Sequence, residues 1–88
     1  MDFTVIERAD LRQHEFAELV PVSRVTVNIW VQGHKAPHRY ILSKVKTLVA
    51  VLEAAIEAGD LPMAKSTTNR SGALRQTIKD TIKRMQAA

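Results

Sequence analysis

The chain contains no cysteine, which excludes a disulfide framework and any zinc site built on thiolates. It has no apolar run of the ~20 residues that a bilayer-spanning helix needs. Its acidic start, Met1-Asp2, lacks the basic segment that opens a secretory signal peptide. These absences set the expectation of a cytoplasmic protein. There is no internal repeat, low-complexity tract, glycine-rich phosphate loop or nucleophile–base constellation. The sequence therefore points to no catalysis, no cofactor and no small-molecule substrate. Asp10, Glu15 and Glu18 read as ordinary solvated acids. His34 and His38 are separated by Pro37 and have no third ligand, so no metal is expected.

The most informative absence concerns one sign of charge. From Leu19 to Leu52 there is no aspartate or glutamate, whereas Arg24, Lys35, Arg39, Lys44 and Lys46 all fall there. The preceding segment runs the other way, with Asp2, Glu7, Asp10, Glu15 and Glu18 against Arg8 and Arg12. The net charge of +4 is thus concentrated in a central basic band, the electrostatic footprint of a polyanion binder. A solvated basic surface would look the same in composition, so charge alone does not separate the two.

What is present reads as helix. Eighty-eight residues suit one small domain with an appended element, and 45% hydrophobic content is that of a globular chain. Thr4-Val5-Ile6-Glu7 has the form of a capping box and predicts a short helix over about Val5–Ala9. Asp10-x-x-Gln13 repeats the pattern and opens a second helix reaching Leu19 or Val20, with Phe16, Ala17 and Val20 on one face. Pro21 stops it. Ser23 then serves as N-cap of a third helix that runs to Val31 or Gln32, with Gly33 as its terminating residue. At 100° per residue, Thr26, Val27, Trp30 and Val31 form an inward side, and Arg24, Val25, Asn28, Ile29 and Gln32 an outward arc.

From His38 to Ala58 the pattern is again helical, with an apolar stripe of Ile41, Leu42, Val45, Leu48, Val49, Leu52, Ala55 and Ile56 ending at Gly59 and Pro62. Whether this is one helix or two stays open, because no Gly or Pro interrupts it. Asp60 to Gly72 reads as a linker. Beyond it Leu74, Ile78, Ile82 and Met85 recur at helical spacing. This last helix either folds back on the core or pairs with a second copy. The expected organisation is a domain over 1–59, a linker over 60–72 and an amphipathic helix over 73–88, a candidate dimerisation element.

Residues 11–40 resemble the helix-turn-helix of lambda-repressor-like proteins, the Cro and immunity-repressor type of phages and prophages. The matching string is Leu11-x-Gln13-x-Glu15-Phe16-Ala17, then Val22-Ser23-Arg24-x-Thr26-Val27-x-x-Trp30, then Gly33-x-x-x-Pro37. A small residue at Ala17 leaves room for two helices to cross at a wide angle, and Trp30 shares the core face with Val27. The resemblance covers about a third of the chain. It implies an all-α, small lambda-repressor-like bundle with a C-terminal amphipathic helix. It also implies a transcriptional regulator that binds an inverted-repeat double-stranded DNA operator as a homodimer, on the nucleoid of a bacterial host.

Carried over position by position, the resemblance assigns base contacts to Arg24, Val25, Asn28 and Ile29. It assigns DNA phosphate contacts to Gln13 and Ser23, which open two helices, and to Lys35, His38 and Arg39 in the loop after the recognition helix. Side-chain chemistry agrees: arginine bonds bidentately to guanine, asparagine to adenine, and an apolar side chain rests on a thymine methyl. Two departures from the family pattern stand out. Pro21 replaces the usual turn glycine, so the turn takes another path, and Arg12 replaces the usual Ser or Thr cap before Gln13. An antitoxin or restriction-modification controller carries the same module. A protein-interaction adaptor using Val25 and Ile29 against a partner is the alternative from a different class.

Overall fold

Five helices make up the regular structure of residues 2–87, the part of the chain described by a computed structural model. They are α1 (Thr4–Arg8), α2 (Gln13–Leu19), α3 (Arg24–Val31), α4 (Arg39–Glu57) and α5 (Arg70–Ala87), with no strand among the described residues. The fold is all-α. No helix among these residues is long and apolar enough to cross a membrane.

Local chemistry sets the helix boundaries, and at the first two helices it differs from the expected caps. Thr4 lies inside α1 rather than capping it, and its N–H donates to Asp2 Oδ1 at 2.8 Å. That bond holds the Asp2 carboxyl below its ordinary 3.8. Asp10 does not open α2. It adopts φ +54° in the turn after α1, and α2 begins three residues later behind an extended Arg12. Arg12 N–H donates to Glu15 Oε1 at 2.8 Å, the half of a capping box that requires no hydroxyl at the cap.

After Leu19 the chain turns through a cis Val20–Pro21 peptide, and Val22 N–H closes the turn on Ala17 O at 2.8 Å. The stretch with the helical stripe is one uninterrupted helix of 19 residues, α4. It ends where Gly59 takes φ +82° and the N–H groups of Gly59 and Asp60 reach back to Ile56 O and Ala55 O. Those two bonds satisfy carbonyls that a helix end leaves open.

The core gathers where these helices meet. Val5 and Ile6 of α1, Phe16 and Ala17 of α2, Val27 and Trp30 of α3, and Val45, Leu48, Leu52 and Ala55 of α4 form one buried cluster. Phe3 joins from outside any helix: its ring stacks on Trp30 at 5.9 Å and meets Phe16 edge-on at 6.2 Å. Within α4 the expected stripe is partly shifted. Val51, outside it, is buried, whereas Ile41, Leu42, Val49 and Ile56 are half-buried.

α5 folds back against α4 through buried Leu74 and Thr81 and half-buried Ile78 and Ile82. Met85 is exposed. The helix starts at Arg70, before the expected boundary, and the segment read as a linker supplies Leu61 to the core.

Arg70 makes the deepest polar contact of the fold. Its Nε donates to Glu15 Oε2 at 2.8 Å, Nη2 to Asp10 O at 2.7 Å and Nη1 to Met63 O at 3.0 Å. Only 8% of the Arg70 side chain and 9% of that of Glu15 is exposed. Glu15 is therefore not the solvated acid its sequence context suggested. Burial pushes its pKa upward, but the hydrogen bonds from Arg70 and from Arg12 N–H outweigh that, and the carboxyl sits below its ordinary 4.5.

A carboxyl held below its unfolded value stabilises the fold above that value, and the stabilisation is lost as pH falls through the folded one. Acid titration of stability should therefore show a loss beginning below the ordinary 4.5, and this component should vanish in Glu15→Gln. Glu15→Ala, which strands Arg70, should lower unfolding free energy by about 3 kcal/mol or more. Denaturant melts across pH 3–7 read both effects, and melts of Glu15→Gln that keep the full acid sensitivity would remove this carboxyl as its source.

Candidate nucleic-acid interface

α3 has 8 residues, too few to be stable alone, so its ends and one side must be held by the rest of the chain. At the start, Ser23 Oγ accepts from Thr26 N–H at 3.1 Å and shares a 2.8 Å hydrogen bond with the Thr26 hydroxyl. At the end, Gly33 takes φ +78° while Gly33 N–H and His34 N–H bond back to Trp30 O and Ile29 O. Both caps stand where the sequence pattern puts them.

The inner side of α3 is fully buried Val27 and nearly buried Trp30, with Thr26 half-buried. Val31, expected inside, is 42% exposed instead. It is the last residue of α3.

On the outer side, Arg24 and Asn28 are exposed one turn apart, and Val25 is 64% exposed. Gln32 is exposed as the C-cap. Ile29 is only half-buried, so of the four residues expected at bases it offers the least surface.

The expected phosphate-contacting residues distribute over three places. Gln13 is the first residue of α2 and is half-buried. It lines a cleft of about 450 Å³ together with Trp30, Val31 and Gly33, into which Asp2 and Glu7 also face. Lys35 is exposed and borders a second, smaller cleft with Phe3, Trp30, Gly33 and Pro37. Gln13 and Lys35 therefore flank the same end of α3. Ser23 is exposed at the other end.

His38 and Arg39 are not in a loop: His38 is the N-cap of α4, and Arg39 is the first residue of that helix. His38 Nδ1 accepts from Tyr40 N–H at 3.3 Å.

Charge is distributed unevenly over the described residues. Four ion pairs form, Arg8–Glu53, Lys65–Asp10, Arg70–Glu15 and Arg84–Asp60. Every one uses a cation outside the band from Leu19 to Leu52. Within that band Arg24, Lys35, Arg39, Lys44 and Lys46 are all exposed and none belongs to any of the four pairs. Exposed cations without carboxylate partners keep their full field for a polyanion. Among the described residues no group of three or more His, Asp or Glu is placed to hold a metal ion.

Two supports of this surface were not found from sequence. Phe3 backs Trp30 from outside any periodic segment, and no spacing rule reaches it. The Glu15–Arg70 pair spans 55 positions, beyond any local pattern. Tyr40 had a legible signal: it falls off the α4 stripe beside Ile41, and it is 80% exposed.

Removing the α3 cap without touching its outer face isolates its contribution. Ser23→Ala should destabilise the protein by about 1 kcal/mol, and Ser23→Asp should largely restore the loss. Chemical denaturation measures both, and equal stability of all three proteins would mean the hydroxyl does not cap the helix.

No protein-family model matches the chain, and neither a curated protein nor a solved structure matches it.

Proposed function

We propose that the chain is a sequence-specific, double-stranded-DNA-binding transcriptional regulator in which α2 and α3 form a lambda-repressor-like helix-turn-helix. In this reading it is a phage or prophage repressor. The observation that carries the reading is the two-sidedness of α3. Val27 and Trp30 anchor one side in the core, while Arg24, Val25 and Asn28 are exposed on the other, inside a band of cations that form none of the ion pairs.

Arg24 and Asn28 read guanine and adenine edges, and Val25 packs on a thymine methyl. Lys35 and Arg39 hold the backbone on the C-terminal side of α3 and set register without reading sequence. Gln13 does so from the start of α2. Ser23 does so from the start of α3, where its hydroxyl also caps the helix. The work is binding rather than catalysis, and its setting is the bacterial nucleoid.

Size favours two copies at the DNA. The described chain measures 32 × 31 × 18 Å and carries a single α3. Successive major grooves on one side of B-DNA lie about 34–36 Å apart, so reading two of them takes a second copy and an inverted-repeat operator. An antitoxin or restriction-modification controller would use the same contacts; it differs in what its gene neighbours encode, not in the chemistry of α3.

Selection of preferred sites from a random duplex pool, followed by titration, tests the reading. Arg24→Ala should lose about 1–3 kcal/mol on the preferred site and almost nothing on mixed-sequence DNA. Lys35→Ala should weaken both and flatten the salt dependence by about one unit of log–log slope per bound copy. Arg24→Ala with unchanged site preference would take that residue out of the base-reading set. Absence of any duplex affinity at low salt would overturn the regulator reading and leave Val25 and Ile29 to a protein partner.

A further inference from the structure

The chain has a single tyrosine, and its setting separates it from the other aromatic residues. Phe3 stacks on Trp30 and meets Phe16 edge-on, at the core. Tyr40 is 80% exposed, more than Val25, Val31 or Met85, the other large apolar side chains on the surface.

Exposed as it is, the ring is held in place. Its backbone N–H is bound by His38 Nδ1, its ring centroid lies 4.7 Å from that of His38, and the Arg39 guanidinium carbon lies 5.2 Å from the ring centre. Arg39 Nη2 is 3.5 Å from the Tyr40 hydroxyl oxygen. A phenol fixed on two sides and left in solvent presents its O–H outward with little ordering entropy still to lose on binding.

We infer that Tyr40 is a further DNA-contacting residue, whose hydroxyl donates to a backbone phosphodiester alongside Arg39. The inference rests on the DNA-binding reading above and extends its contact set to a residue that neither the helical pattern nor the resemblance assigned. The chemistry has two parts. First, Arg39 Nη2 and the phenol oxygen lie 3.5 Å apart, a spacing suited to the oxygens of one phosphate. The guanidinium beside the phenol oxygen polarises the O–H and strengthens it as a donor. Second, Arg39 belongs to none of the four ion pairs among the described residues.

His38 is a positioning residue here. Its Nδ1 accepts from Tyr40 N–H and its ring lies against that of Tyr40.

A neutral donor leaves a signature that a cation does not. Losing a charged phosphate contact lowers both affinity and salt slope, whereas losing a neutral hydroxyl lowers affinity at constant slope. The experiment titrates wild type, Tyr40→Phe and Lys35→Ala into a labelled mixed-sequence duplex of about 30 base pairs over a series of salt concentrations. It also follows the ring resonances of Tyr40, the only tyrosine signals the protein has, on adding duplex or inorganic phosphate.

Tyr40→Phe should bind about 10-fold more weakly with an unchanged slope, in contrast to Lys35→Ala. The Tyr40 ring signals should shift with duplex and stay in place with inorganic phosphate. Wild-type affinity in Tyr40→Phe, or ring signals that ignore the duplex, overturns this inference while the regulator reading stands. Ring signals that respond equally to inorganic phosphate would make this a free-anion site and overturn it too. Failure of the wild type to bind any duplex removes both.

Discussion

A two-turn helix is a useful reader of a groove only if something else decides which way it faces. In this chain the decision is made by the burial of Val27 and Trp30 against Phe16, Ala17 and Phe3. Ala17 is buried on α2, where a methyl side chain leaves room for a second helix, and Val22 N–H bonded to Ala17 O closes the turn between the two helices. Replacing that methyl with a larger group would change the angle of α3 before it changed anything on its outer side. Every property assigned to Arg24, Val25 and Asn28 depends on that angle.

The same logic explains why a single buried ion pair sits at the opposite end of α2. Arg70 binds Glu15 on α2, the Asp10 carbonyl between α1 and α2, and the Met63 carbonyl ahead of α5. One guanidinium thus ties three separate pieces of chain around the base of α2. Because its donors are spent on these partners, Arg70 contributes structure and not surface charge. Glu15 has two tasks: one carboxylate oxygen caps α2 through Arg12 N–H and the other meets Arg70. α2 is thereby held along its core side and at its start, so that α3 packs against a fixed support.

Local patterns in the sequence were sufficient for α3 and α4 and insufficient for what braces them. Ser23, Gly33 and Gly59 each act through neighbours within one turn, and that is why their roles as caps or terminators could be read from spacing; His38, expected in a loop, caps α4 instead. The helical character and the end of α4 were legible from its stripe and from Gly59, whereas its continuity as one helix was settled only by the structure. Thr4 and Asp10 mislead for a related reason. Each has the composition of a cap, but Asp2 was a better acceptor for α1, and the turn after α1 required a left-handed residue at Asp10. Phe3, Leu61 and Arg70 lie outside periodic segments, and Phe3 and Arg70 have partners far away in the chain. Only the folded arrangement brings them together. For the candidate site, the outward arc of α3 was legible from periodicity, while the degree of exposure that separates Val25 from Ile29 was not.

The pairing of charges connects the scaffold to the proposed interface. The chain has carboxylates enough to neutralise many of its cations, yet the four ion pairs all fall outside the central band. Arg8 and Glu53 tie α1 to α4, Lys65 meets Asp10 in the turn after α1, and Arg84 on α5 meets Asp60 beyond the end of α4. Carboxylates are thus paired where helices must be held to one another, and none of the four pairs uses Arg24, Lys35 or Arg39. A carboxylate introduced on the outer arc of α3 would add at most a weak exposed pair to stability, on the order of 0–1 kcal/mol. It would also repel a phosphate backbone at the distance where that backbone must approach. The two demands, cohesion of the bundle and attraction of a polyanion, are met by the same residue types in separate regions. That separation is why α3 can be polar, basic and exposed without weakening the fold that aims it.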